Sequence, residues 1–529
     1  MAQTYTHLKG NRLTDINNFA SIFLDNNSTS TALWSAATFT GDWEVSMKPV
    51  TKVYVLADQV GTLYIEQSTS ETGPADITQA FPVDADQEIF VDVTNKLAYM
   101  RARYVNGSSI QTSFILQTQL TSGTSGAISV APADGPNVDS FGRSRVSNPY
   151  TLFDSKRSNN EQTYFWDNQE TSGSGTLSSY SQNRASTFLS VAGPVGKRTL
   201  QTFQRFNYQP GKSQQIIMTG ILGAGQPGVI RSLGYGDDQN GLFFVLDESI
   251  LKVRKRTFSS GSAVDIDVAQ SAWNLDRLDG TGPSGITLDT SKTLIFTIDF
   301  EWLGVGRVRM GVVINGRFHT CHEFRHSNVL DVVYMSSPNL PLRYEIEGTG
   351  SHESASIECI CSTVISEGGI DPLGAVFSVG SWESGGPIDA NTAGNTYALV
   401  GIRLKSTNLN TVLKELRQTV VYTTTDDAYW TLRLNPTVAG TFTYGSVNTY
   451  SGVEFARGDN VSANSDSQVT GGTIIDSGYL LGNAATATEL KNQRHLGVAL
   501  DGTIDELVLC VSPITSGLDV YGSLTWREL

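Results

Sequence analysis

One stretch, Thr293 to Leu303, limits the possible folds more than any other. Leu294, Phe296, Ile298, Phe300 and Trp302 alternate with Thr293, Thr297, Asp299 and Glu301. A period of two puts the first set on one face of an extended strand and the second on the other. Gly304-Val305-Gly306 then turns the chain, and Arg307 to Ile314 returns with Val308, Met310, Val312 and Ile314 on one face. Asn315-Gly316 follows, a strong two-residue hairpin signal. A helix would repeat its apolar positions every three to four residues instead. A meander of this kind buries its apolar face only against a second layer, so it demands a sandwich.

Composition extends the argument to the whole chain. Only 17% of the 529 residues are charged, and 51 are glycine, whereas an average soluble chain is about 25% charged. Helix surfaces are rich in Glu, Lys and Arg, so the fold class expected is all-β, with many short turns. Between Trp43 and Leu120, Val53-Tyr54-Val55-Leu56 and Leu63-Tyr64-Ile65-Glu66 flank an Asp58-Gln59-Val60-Gly61 turn. Phe114, Leu116 and Leu120 share one face of a later strand. From Phe141 to Gly369 the strands are longer and more aromatic, as in a concanavalin-like jelly roll. Beyond Asp371-Pro372 come further strands, with Asn410 to Gln418 the one plausible helical turn. The expected organisation is three β-sandwich domains in series: an N-terminal extension (1–30), a small β-sandwich (31–120), a linker (121–140), a large jelly roll (141–370) and a C-terminal β-sandwich (371–529).

Several function classes are disfavoured. With a net charge of −15 and no Lys/Arg block, the chain lacks the means to release counterions from nucleic acid. No run approaches 18 apolar residues, so no membrane span is expected. Met1 to Asp15 has no apolar run behind a basic start, so no secretory signal is expected either. Four cysteines are too few for a disulfide framework. Cys359 and Cys361, two apart on a strand, are expected on one face with Ala355, Ile357 and Ile365, as small buried hydrophobes poorly placed for a disulfide. Cys321 and Cys510 are isolated, and synthesis in a reducing cytoplasm is expected.

Two motifs invite a chemical reading. His322-Glu323-Phe324-Arg325-His326 has the form H-E-x-x-H, which binds zinc when both histidines share a helix face. Here it continues a return strand, where positions i and i+4 are about 13 Å apart at roughly 3.3 Å per residue. That is too far to clasp one metal. Asp299 and Glu301, at i and i+2 on a strand, are about 6 to 7 Å apart, near the spacing of glycosidase acid pairs. Some jelly-roll glycosidases place carboxylates as Glu-x-Asp-x-Glu, but Thr297 stands where the nucleophile belongs, and a solvated polar face is the reading preferred. The loop Leu233 to Gly241 lacks the helix a phosphate loop needs, and Asp237 and Asp238 alone are weak evidence for a calcium site. There is no G-x-S-x-G elbow and no Walker loop. No catalytic residue, cofactor or metal ligand is therefore assigned.

Several segments resemble structural virion proteins of tailed bacteriophages. Gly61 to Ser68, Tyr99 to Asn106 and Gln111 to Thr118 are similar to a small β domain of phage tail, neck and head-fibre proteins. Ser147 to Asp154, Asn240 to Phe244 and Phe300 to Val308 are similar to a second phage segment. Trp430 to Pro436 and Gly471 to Ile475 are similar to C-terminal parts of such proteins. The resemblance implies a non-enzymatic structural component of a virion (tail, neck or capsid-attached fibre or decoration protein), made in the host cytoplasm, self-assembling as a homo-oligomer and docking other virion proteins. The alternatives are an attachment protein that binds host-surface carbohydrate and a polysaccharide depolymerase on the jelly roll.

Overall fold

The computed structural model describes residues 21–121, 148–193, 195–350, 352–371, 373–384, 387–422, 426–440, 442–458, 467–482, 485–490, 494–515 and 517–529. Residues 1–20 of the expected extension and 122–140 of the expected linker lie outside them. The chain forms two compact units, Met1–Ala133 and Asp134–Leu529, and among the described residues it is all-β with a few 3-10 turns.

In the first unit, one sheet runs Ser21–Phe23, Phe114–Thr121, Val50–Ala57, Gln87–Thr94. The other runs Thr38–Thr40, Tyr99–Asn106, Gly61–Ser68, Ile77–Val83. The alternating residues do what their period requires: Val53, Val55, Leu63, Ile65, Tyr104, Phe114, Leu116 and Leu120 fill the space between the sheets. A buried Glu66 takes 2.8 and 2.7 Å hydrogen bonds from Arg101 and Arg103. These outweigh the burial that would otherwise raise its pKa, and hold it below the usual carboxylate value.

The second unit begins with the jelly roll. Its first sheet is ordered Thr176–Ser181, Ser186–Gly193, His352–Ser366, Gln214–Ile221, Leu294–Phe300, Val308–Ile314, Arg317–Phe324, with Tyr150–Lys156 also paired to His352–Ser366. The facing sheet is ordered Trp166–Gly173, Gly196–Thr202, Leu342–Gly348, Val229–Gly236, Gly241–Asp247, Ile250–Thr257, Val264–Ala269. Phe296, Ile298, Phe300, Val308, Met310 and Val312 lie in one core, and Asn315 and Gly316 turn with φ of 52° and 73°. Both central residues are left-handed, as a tight hairpin of this twist requires.

The C-terminal sandwich has one sheet of Ala375–Gly380, Leu518–Glu528, Leu413–Tyr422, Ala485–Leu490. The other is ordered Gly445–Ser446, Val453–Arg457, Tyr397–Leu404, Glu506–Pro513, Ala428–Leu434, Thr473–Leu480. Its core holds Trp430, Leu432, Leu509 and Trp526. The helical turn expected at 410–418 is instead part of the Leu413–Tyr422 strand, between two neighbours. A register shift between Lys414 and Arg417 explains the misleading pattern. The bulge lets Leu413 and Leu416, three apart, both point inward.

The two sandwiches of this unit are tied together. Val498 N donates to Phe203 O at 3.1 Å, His495 N to Gln204 Oε1 at 3.1 Å and Leu500 N to Asp167 Oδ2 at 2.6 Å. Gly497 passes so close to Phe203 that a Cβ there would lie 1.9 Å from its carbonyl oxygen.

Candidate functional site

Asp299 and Glu301 do not form a solvated face. Asp299 is 7% exposed and ion-paired to Arg309, its cross-strand neighbour. The same row continues to Gln215 on one side and Glu323 on the other. Glu323 in turn meets Arg307 and Arg325. Glu301 is fully buried, accepting hydrogen bonds from the Tyr208 hydroxyl and, at 3.1 Å, from Gly211 N. The chain turns directly after it, with Leu303 and Gly304 at φ 35° and 77°. The polar alternation was real, but arginines and a tyrosine from elsewhere in the chain cover it. Thr297, at the nucleophile's place, is also buried.

The H-E-x-x-H residues sit at the end of the Arg317–Phe324 strand and just past it. His322 Nδ1 accepts from Asn274 N at 3.3 Å, while His326 stacks on Tyr334 with 4.1 Å between centroids. His326 Nδ1 is 2.5 Å from Gly306 O and Nε2 is 3.0 Å from Lys255 Nζ. An Nδ1–H tautomer satisfies both contacts, donating to the carbonyl and accepting from the ammonium. Burial pushes both imidazoles down to about 4 and the Lys255 amine down to about 8. Each histidine is thus engaged separately. Asp237 faces Arg205 at 3.4 Å, and Asp238 faces Arg343 at 2.5 Å. Among the described residues no three His, Cys, Asp or Glu side chains are grouped to hold a metal.

The cysteine expectation also needs correction. Cys359 is buried, whereas Cys361 is exposed. The ladder from Gln214–Ile221 slips between Met218, opposite Ser362, and Gly220, opposite Cys359. That irregularity puts the two thiols on opposite faces.

A cleft of about 990 Å³ lies between the jelly roll and the C-terminal sandwich. It is lined by Tyr150 to Asp154 and Gln204 from the jelly roll and by Thr473 to Ile475, Arg494 and His495 from the C-terminal sandwich. Arg494 is 2.5 Å from Asp505, and its guanidinium carbon lies 4.2 Å from the Phe203 ring centroid and 5.3 Å from that of Tyr164. Burial lowers its pKa, opposed by Asp505. Lys212 meets Asp371, one of the lining residues, at 2.7 Å. Burial, aided by Lys414, pushes the His495 imidazole down to about 3, so it is neutral at physiological pH. Such a mixture of aromatic, aliphatic and neutralised polar groups is suited to recognition, and the volume lies at the upper end of ligand pockets, about 300–1,000 Å³. Sequence reading missed this cleft because its residues are up to 380 positions apart.

In the first unit, Phe90 is 75% exposed and packs on Tyr54 with centroids 5.0 Å apart. Gln117 is Tyr54's neighbour on the other side, and the Lys52–Asp92 pair occupies the adjacent row on the same face.

Residues 16–121 match the family described as uncharacterised protein YqxG N-terminal domain. No curated protein matches the chain. Among solved structures, the PBSX exported protein XepA is 14% identical, over 65% of this chain and 86% of that one, with a TM-score of 0.17. A Bacteroides ovatus mixed linkage glucan GH16 is 9% identical over 40% and 99%, with a TM-score of 0.28. A legume lectin-like domain from Entamoeba histolytica is 11% identical over 40% and 96%, with a TM-score of 0.25.

Proposed function

We propose that this chain is a non-enzymatic structural component of a bacteriophage virion that acts by self-assembly and by docking other virion proteins. The observation that carries the non-enzymatic part is the condition of the carboxylates. Asp299 is neutralised by Arg309, and Glu301 is sealed under Tyr208. Acid/base hydrolysis needs two acids that reach substrate and water, and these two have neither access nor a common space. The bacteriophage setting rests on the segment resemblances given above. Two experiments test the reading. Mass spectrometry of purified particles is expected to find the chain at a fixed stoichiometry, and its absence from particles refutes the virion role. Release of reducing ends from host-surface polysaccharide, abolished by Glu301→Gln without loss of folding, would establish the depolymerase instead.

One observation favours a second reading, attachment to host-surface carbohydrate. The exposed Phe90 beside Tyr54, flanked by Gln117 and an ion pair, offers an aromatic platform with polar neighbours. Binding on a glycan array, lost in Phe90→Ala, would support it.

A further inference from the structure

The walls of the cleft are runs of consecutive residues, Tyr150 to Asp154 and Thr473 to Ile475. Along a strand, neighbouring side chains point to opposite faces. A wall made of consecutive residues is therefore a strand edge, with backbone N–H and C=O groups in it. The pairing agrees. Among the described residues, Tyr150–Lys156 pairs on one side only, with His352–Ser366. Among the same residues, Thr473–Leu480 pairs only with Ala428–Leu434 and ends its six-stranded sheet. Leu152 is bulged out of its ladder, which slips between Thr151 and Phe153, and it too lines the cleft. Natural sheets cover or blunt such edges, because an open edge is a template for another strand. Here two edges from different sandwiches, unpaired on their outer side among the described residues, line one cleft. The five residues Tyr150 to Asp154 extend roughly 13–17 Å at about 3.3 Å each, enough for a segment of about five residues.

We propose that this cleft accepts an extended segment of a partner protein, which adds as a strand to the Tyr150–Lys156 edge. Backbone hydrogen bonds supply the register, and side chains at every second position meet Leu152, Phe165 and Ile475. Acids and bases are mixed along the cleft, Asp154 and Glu489 against Lys414 and Arg527. The segment is therefore neutral, with apolar residues two apart. The proposal rests on the docking function argued above and names its site.

The test uses the full-length protein and a library of displayed seven-residue peptides. An enriched peptide is synthesised and then N-methylated at each amide in turn. Methylation at alternate positions is expected to weaken binding at least tenfold, and at the intervening positions less than twofold. Ile474→Trp, a substitution at a side chain 46% exposed, should fill the cleft and weaken binding tenfold or more at unchanged melting temperature. Trp34→Ala, at a side chain 74% exposed in the other unit, should leave it unchanged. No enrichment, indifference to methylation, or full binding by Ile474→Trp overturns the proposal. So does sedimentation showing a dimer that Ile474→Trp dissociates, since the occupant is then a second copy. Failure here with the chain present in particles sinks the cleft alone; peptide binding with the chain absent from particles sinks the virion reading alone.

Discussion

Asp505 is the anchor of the segment that joins the two sandwiches of the second unit, and its removal is the sharpest test of that joint. Its carboxylate accepts from Arg494 Nη2 at 2.5 Å, Gly497 N at 3.0 Å and Asn435 Nδ2 at 2.8 Å. Both ionic side chains are nearly inaccessible, at 4% and 3%. Asp505→Ala leaves the Arg494 charge between Tyr164 and Phe203 without a counter-ion, and strands two further donors. Breaking one partner of a buried pair costs about 3–5 kcal/mol, or two to nearly four powers of ten in the folding equilibrium at about 1.4 kcal/mol each. That is a large share of the roughly 5–15 kcal/mol total of a typical native protein. Because the 494–505 segment carries the ties to Phe203, Gln204 and Asp167, the loss should also uncouple the sandwiches. Urea unfolding followed by tryptophan fluorescence and calorimetry should show an early C-terminal transition split from the main one. The double variant Arg494→Met/Asp505→Leu removes both charges and should recover the share of the loss due to the uncompensated guanidinium, since apolar replacement of a whole buried pair is often neutral, while the Gly497 and Asn435 donors stay without Asp505. A cost below about 1 kcal/mol for Asp505→Ala, or no recovery in the double variant, would refute the reasoning.

Acid should destabilise the jelly roll through His322 and His326. Their folded values, about 4, lie below the 6.5 of free imidazole because burial disfavours the cation. The unfolded state therefore takes up protons first, so stability is full above about pH 6.5 and falls by about 3 kcal/mol per imidazole by pH 4. Urea midpoints from pH 7 to 4 check this, and an unchanged slope in His326→Gln would contradict it. Among the four thiols, Cys361 alone should react with a thiol reagent in the native state, the other three being buried; rapid native labelling of Cys359 would show that the faces are misassigned. Gly306→Ala should cost about 2 kcal/mol or more in thermal melts, because its Cβ would lie 1.8 Å from Glu301 O. A melt within a degree of the parent would mean that the 301–306 turn relaxes freely.

What could be read from the sequence was whatever one strand decides by itself. Leu294, Phe296, Ile298 and Phe300 had to share a face, and Asn315-Gly316 had to turn, because both follow from the local period and from positive φ. Cys359 and Cys361 misled because a bulge leaves no mark on the bulged strand. Its signal is the slipped register of a partner nearly 140 residues earlier. The Leu413/Leu416 spacing misled for the same reason, since a strand with one extra residue imitates a helical interval. Asp299 and Glu301 misled differently. Their polarity was legible, but polarity specifies only that a partner is needed, either water or protein. Arg309 arrives from the next strand and Tyr208 from about ninety residues away, so the choice was made by topology. The cleft is the extreme case. Each strand that lines it, read alone, is an ordinary edge strand, and contacts between the sandwiches, such as the docking of 494–505 onto Phe203 and Asn339 onto Asn410, bring the two edges to one space. A site built from edges leaves no motif, because the groups it uses are backbone atoms that every residue carries.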